Sequence, residues 1–308
     1  MLSLILMKKI ASMLFILLLG FIAAKLDILP ENTSKVLSAV SMWVVCPCMI
    51  LNAFQVERSP EIMKAFMTSL VMSMLVMTMF VVVAHLLKKP LKLTKVELGN
   101  AAYSNCGNMV IPLVVAMFGN DYVIYTLPFI CVSTVFCWSH LYCMFSGGDK
   151  PDYKKILTNV NIVSIVVSFL LFLVQFRFPP IIKDSLQSVS DMVGPLAMLI
   201  TGILLGHQDL KKVFLNGRGY LIASLRLLVL PLISLLLYRV LNAESWCENG
   251  EIIMMISFLG GISCCASNCT QMADLYLGEG EYSASICIIS TILMVVTAPA
   301  LIFLFQHI

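Results

Sequence analysis

Apolar positions along this chain neither alternate nor form a narrow stripe of helical period. They run together in blocks of about 20 residues, separated by short polar segments. A block of that length, wound as a helix, spans the ~30 Å hydrocarbon core of a bilayer. The blocks predict ten membrane spans, at about residues 8–25, 36–55, 66–87, 97–118, 122–144, 158–176, 187–206, 219–240, 251–275 and 282–305. No connecting segment is long enough to bury a core of its own. Composition agrees: of 308 residues, 60% are apolar and 12% charged, against roughly 45–50% and 25% in soluble domains. The reading is an all-α integral membrane protein whose function is built inside the bilayer, which excludes soluble-enzyme, secreted, fibrous and disordered classes.

Charge adds orientation. The net charge of +3 is small and scattered, so no nucleic-acid partner is expected. Seven Lys and Arg residues, from Lys8 to Arg239, fall on the side of the amino terminus, and twelve on the other, including Lys25, Lys35, Lys88, Lys89, Lys92, Lys95, Lys211 and Lys212. The positive-inside rule places the second side in the cytoplasm and both termini outside, in a multi-pass protein of the cytoplasmic membrane. The segment Ile10 to Ala24 after Lys8-Lys9 looks like a signal peptide. It is expected to stay as span one, because the second span needs an antiparallel neighbour.

Two stretches repeat one pattern. Leu29-Pro30, Leu37, Val40-Ser41, Pro47 and Leu51 are matched by Phe178-Pro179, Leu186, Val189-Ser190, Pro195 and Leu199, at an offset of 149 residues that drops to 148 before the second proline. Ser133-Thr134 echoes Ser290-Thr291, and Ser104-Asn105-Cys106 echoes Ser267-Asn268-Cys269. The expected organisation is two five-span halves, residues 1–148 and 149–308. Because five is odd, the second half enters the membrane in the opposite sense, an inverted repeat of the kind secondary transporters use.

Candidate chemistry concentrates in two spans. Span four, Gly99 to Pro112, holds Asn100, Asn105 and Asn108 with Gly107 and Pro112 near the midplane. Gly107 loosens the backbone and Pro112 lacks an N–H and crowds the Asn108 carbonyl, which predicts a broken helix. Half-helix ends of this kind offer amides to a carboxylate and carbonyls to a donor; a packed proline kink with asparagines as interhelical glue is the alternative. Span nine has small and polar residues at the matching place, with Ser263, Ser267, Asn268 and Gln271 at midplane depth after Gly260-Gly261. Tight helix packing is the other reading there. Arg226 is the basic residue well inside a span, expected to snorkel or to pair with Asp274 or Glu97 unless it meets substrate. Asn52 and Asp191 are secondary candidates. The eleven cysteines match no zinc spacing and read as small fillers. His85 and His140 have no neighbouring acid in sequence and read as packing or interface residues. No catalytic motif is present, so no enzyme, metal or cofactor is expected.

These motifs in this order resemble the auxin efflux carrier family in its short bacterial form, which includes malate and malonate permeases and lies among carriers like those for bile acid, arsenite and riboflavin. The resemblance rests on Leu19-Gly20, Leu29-Pro30, Val44-Val45-Cys46-Pro47, Asn105 to Leu113, Gly194 to Ala197, Arg226 to Pro231, Ala273 to Tyr276, Ser290-Thr291 and Thr297 to Pro299. It implies that broken spans four and nine cross at the site, with Asn105, Gly107 and Pro112 in the first crossing motif. It also implies a scaffold of spans one, two, six and seven, against which spans three to five and eight to ten move as an elevator. A small organic anion, auxin-like or a dicarboxylate, is the implied substrate class, and a homodimer through the scaffold the implied assembly. Val110 stands where the family usually has another glycine, and no proline lies near Cys265, where the family commonly has one, which leaves the break in span nine resting on Gly260-Gly261 and the small residues after it.

The expected function is a secondary carrier for a small organic anion, with efflux as the candidate direction, protons as a candidate coupling ion and the bilayer as its other partner. A bile-acid/sodium-symporter-like carrier is the nearest alternative, and an intramembrane enzyme or a receptor the more distant ones. Accessibility tags are expected to find both termini outside and the Gly147–Lys155 loop in the cytoplasm; a cytoplasmic terminus would overturn the five-plus-five scheme.

Overall fold

A computed structural model describes residues 2–30, 32–148 and 153–307, and among them the chain is helical throughout, with no strand longer than a single bridge. In chain order the rods are α1 (Leu2–Lys25), α2 (Thr33–Ala53), α3 (Pro60–Leu91), α4 (Lys95–Ala102), α5 (Cys106–Phe118), α6 (Asn120–Ser146), α7 (Val160–Leu173), α8 (Pro180–His207), α9 (Gly217–Val240), α10 (Gly250–Gly261), α11 (Ser267–Leu277) and α12 (Gly280–His307). Six of them, α2, α3, α6, α8, α9 and α12, are long and apolar enough to cross a membrane by length and composition. α7 and α10 are shorter apolar helices.

Burial is distributed as a bilayer demands. Large apolar side chains such as Phe15, Leu18, Trp43, Val71, Leu86, Val166 and Leu170 face outward. The interior holds Ser69, Ser73, Asn100, Ser234, Ser257, Ser263, Ser283, Ser290 and Arg226. In lipid the apolar surface has no reason to hide, whereas each polar group must find a partner within the protein.

Local sequence explains where rods start and widen. Ser59 accepts from the Ile62 amide and Pro60 opens α3. Thr94 and Glu97 form a reciprocal capping box at the start of α4. Within α2, α6 and α9 one turn opens to five-residue hydrogen bonds, at Ser41–Val45, Cys137–Leu141 and Leu225–Val229. In α2 and α9 the widened turn is followed by Pro47 or Pro231. A proline brings no N–H and pushes away the carbonyl four residues back, so the ladder opens by one residue in the preceding turn.

α1 lies directly on α8, backbone against backbone. A Cβ on Gly20 would stand 2.5 Å from the Leu199 carbonyl oxygen, and one on Gly206 would stand 2.5 Å from Ala24 Cβ. One on Gly202 would run into the Leu17 carbonyl. Gly202 and Gly206 are one turn apart, the spacing that lets membrane helices approach closely. Beside this pair, α2 packs on α7 and α8, joined by a bond from Asn52 Nδ2 to Gln187 Oε1 at 2.7 Å.

Two expectations about the broken spans need correction. Gly107 and Pro112 lie inside a continuous α5, and the chain leaves helical geometry earlier, at Tyr103, Ser104 and Asn105. Gly260 and Gly261 likewise remain within α10, and the second break falls at residues 262–266. Gly260 serves packing: a Cβ there would come within 2.8 Å of the Phe129 ring. Pro112 also packs, since a Cβ on Gly194 would lie 2.9 Å from its ring.

Gly202→Val is expected to force α1 and α8 apart and cost about 1–3 kcal/mol, read as a lower apparent melting temperature of the detergent-purified protein. Gly217→Ala, where an added Cβ meets nothing within 4 Å, leaves the melting temperature unchanged.

Candidate functional site

The two breaks meet. Ser104 and Cys265 form an antiparallel bridge, with the Asn105 amide donating to the Cys264 carbonyl at 2.8 Å and the Ala266 amide donating to the Tyr103 carbonyl at 3.0 Å. Two extended segments from distant parts of the chain thus replace, for a few residues, the hydrogen bonds that helix would have supplied. The Cys265 amide donates to Ser290 Oγ on α12 at 3.0 Å. The Cys106 thiol lies within hydrogen-bond reach of Ser133 on α6. Both serine–threonine pairs of the sequence pattern therefore stand behind a break.

The carbonyls at the ends of α4 and α10 are taken by Arg226, which is fully buried. Its Nε donates to Ser263 O at 3.1 Å, Nη2 to Gly261 O at 2.6 Å, and Nη1 to Ala102 O at 3.2 Å and Ala101 O at 3.4 Å. The guanidinium also lies over the Phe80 ring, 4.7 Å from its centroid. A planar fork with five N–H groups reaches both helix ends at once, and its positive charge meets the negative ends of two helix dipoles. The expected snorkelling or pairing with an acid does not occur. Glu97 instead binds Arg218, through Nε at 2.8 Å and Nη2 at 2.6 Å, and accepts from the Tyr282 hydroxyl at 2.7 Å.

The opposite ends remain open. Asn105 immediately precedes α5 and Ala266 precedes α11, and neither position supplies a side-chain cap. The first amides of both helices thus present partial positive charge beside the paired segments. Gly107, on the first turn of α5, has open space where a Cβ would be. Nearby, Leu14 and Leu17 of α1, Met109 and Leu113 of α5, Met198 of α8, and Thr291, Met294 and Val295 of α12 line an apolar cavity of about 40 Å³.

The other candidates fall into three places. Ser263 is buried behind the break, its hydroxyl donating to Leu259 O at 2.9 Å. Ser267 is half-buried and Asn268 and Gln271 are exposed on α11, with Asn268 reaching the Cys137 thiol. The side chain of Asn108 lies outside the described residues. Asn52 and Asp191 sit away from the crossing, linked through Gln187, whose Nε2 donates to Asp191 Oδ1 at 2.6 Å. Four residues that sequence reasoning did not place in the site belong to its surroundings. They are Tyr103, Ser290, and the pair Asn100 and Ser283, bonded at 2.8 Å. The repeated Ser-Thr motif was the available signal for Ser290.

Compared with known families, the chain matches the model described as membrane transport protein over residues 5–155 and 149–302. No curated protein matches it.

Arg226→Lys keeps the charge but not the fork, so it is expected to leave carbonyls of one helix end unpaired and lower stability by about 1–3 kcal/mol. Arg226→Met removes every donor and is expected to fold less well still, both read as the melting temperature and monodisperse yield of purified protein.

Proposed function

Because the chain belongs to the membrane transport protein family, that of the auxin efflux carriers, we propose that this multi-pass membrane protein is a secondary carrier for a small organic anion. The observation that supports this most is the pair of uncapped helix starts, α5 and α11, at two breaks that are themselves paired. Such ends attract a carboxylate without a fixed charge to trap it. Asn105, Gly107, Asn108, Ser267, Asn268 and Gln271 would line the approach. Pro112 and Ser263 act one step back, through packing and through the Arg226 contacts.

In this reading the ten predicted spans form two inverted halves, 1–148 and 149–308, in the cytoplasmic membrane. α1, α2, α7 and α8 form the scaffold, and the broken spans move with α3, α6, α9 and α12 as an elevator. The close α1 and α8 contact supports a rigid scaffold, and Pro112 against Gly194 marks a contact across which sliding would occur. A sodium-symporter mechanism is less well served. Carbonyls that could cage a cation at the crossing already hold the guanidinium of Arg226.

Thermal-shift screening of detergent-purified protein against mono- and dicarboxylates and indole acids is expected to show stabilisation by at least one class. Asn105→Ala, which folds to near wild-type yield in this reading, is expected to abolish that shift. A large loss of folded protein would assign Asn105 to interhelical glue instead.

A further inference from the structure

His85 on α3 and His140 on α6 are 55 residues apart in sequence, yet their rings pack edge to face, with centroids 5.0 Å apart and planes at 72°. His140 Nδ1 lies 2.8 Å from the Tyr103 hydroxyl. Tyr103 is buried and supplies the carbonyl that accepts the Ala266 amide between the two breaks. One chain of contacts therefore runs from the exposed His85 through half-buried His140 to the crossing.

The hydrogen bonds serve two protonation states. His85 Nδ1 lies 2.9 Å from Val81 O; a carbonyl only accepts, so Nδ1 carries the hydrogen and Nε2 is left to take a proton. The Tyr103 hydroxyl has one hydrogen and two acceptors in reach, His140 Nδ1 and Phe136 O at 3.1 Å. Neutral His140 can accept that hydrogen at Nδ1. An imidazolium must donate there instead, and the hydroxyl then turns to Phe136 O. The Tyr103 hydroxyl has an acceptor or a donor to pair with either way. Edge-to-face contact lets one ring carry a charge against the π face of the other, whereas two adjacent imidazoliums repel. Among the described residues no third metal-ligating side chain completes a metal set, so the fitting ligand is a proton.

Other ionisable groups lie on the surrounding elements. α3 carries Lys88 and Lys89 one turn beyond His85, and α4 carries Glu97, held by Arg218. α6 carries Cys137, Tyr142 and Cys143, while α11 carries Cys269, Asp274 and Tyr276. α10 contributes Glu251 at its distal start, α9 contributes Arg226, and the turn at Tyr153–Leu157 contributes Tyr153 and Lys154. Among the described residues no carboxylate forms an ion pair with either histidine.

We propose that His85 and His140 form a proton-binding site whose occupancy is transmitted to the crossing by Tyr103. Its role as the coupling site rests on the carrier reading above; the proton site itself does not. Tyr103 is a positioning residue: it couples imidazole charge to the backbone bond that holds the breaks together.

The test uses the full chain in lipid nanodiscs with ¹³C-labelled histidine, titrated by NMR, with His140→Gln assigning the signals. Wild type is expected to take up protons at the pair in two coupled steps, and His85→Gln to leave a single, displaced step at His140. An unchanged His140 titration in His85→Gln overturns the site. Hydrogen exchange, corrected for intrinsic pH dependence, is then followed at 103–105 and 262–266. Wild-type protection is expected to change at least threefold across the His140 step, and Tyr103→Phe to hold it constant while the histidine step persists. Constant wild-type protection, or a pH response retained in Tyr103→Phe, overturns the link. If Tyr103→Phe does not fold, His140→Gln reads the same link, with constant protection expected at every pH. Neither readout uses a substrate, so failure here is separate from failure of the anion screen.

Discussion

A helix that breaks inside a membrane releases backbone groups where water cannot serve them, and each orphan costs several kcal/mol. This constraint organises the centre of the protein. The chain answers with three devices at one point: a short antiparallel pairing of residues 103–105 with 264–266, a serine hydroxyl that accepts the Cys265 amide, and the fork of Arg226 on the carbonyls of two helix ends. Each device comes from a different rod, so the crossing forms only when α4, α5, α9, α10, α11 and α12 are assembled together.

The distribution of charge follows from the same arrangement. Arg226 neutralises the negative ends of α4 and α10, while the positive ends of α5 and α11 are left without side-chain caps. An anion near those ends meets aligned dipoles and not a bare cation. A carrier must also release what it binds, and partial charges on helix ends attract less tenaciously than an unpaired arginine. Burial of Arg226 against Phe80 keeps its charge committed to the backbone.

Much of the helical architecture was legible in the chain, because blocks of apolar residues and their polar separators carry that information directly. The presence of breaks in spans four and nine was legible from their polar and small residues. Their positions were not. Gly107, Pro112, Gly260 and Gly261 looked like local breakers, yet all four remain helical, because helix ends here are decided by tertiary pairing and by Arg226. Partners 25 to 185 residues apart leave no local trace, which is why Arg226 looked like a snorkelling residue, and Glu97 its partner. The same holds for His85 and His140, unremarkable in sequence and packed edge to face in space.

α7 is the shortest of the apolar rods that are not half of a broken span, with 14 residues bounded by the Asn159 cap and by Gln175. At 1.5 Å per residue it reaches about 21 Å, some 9 Å less than a typical hydrocarbon core. Hydrophobic mismatch of that size is relieved by thinning the bilayer alongside. The lipid next to Val163, Val166, Val167 and Leu170, all exposed, would be compressed at rest. Membrane thickness itself then becomes a variable to which this protein's stability responds.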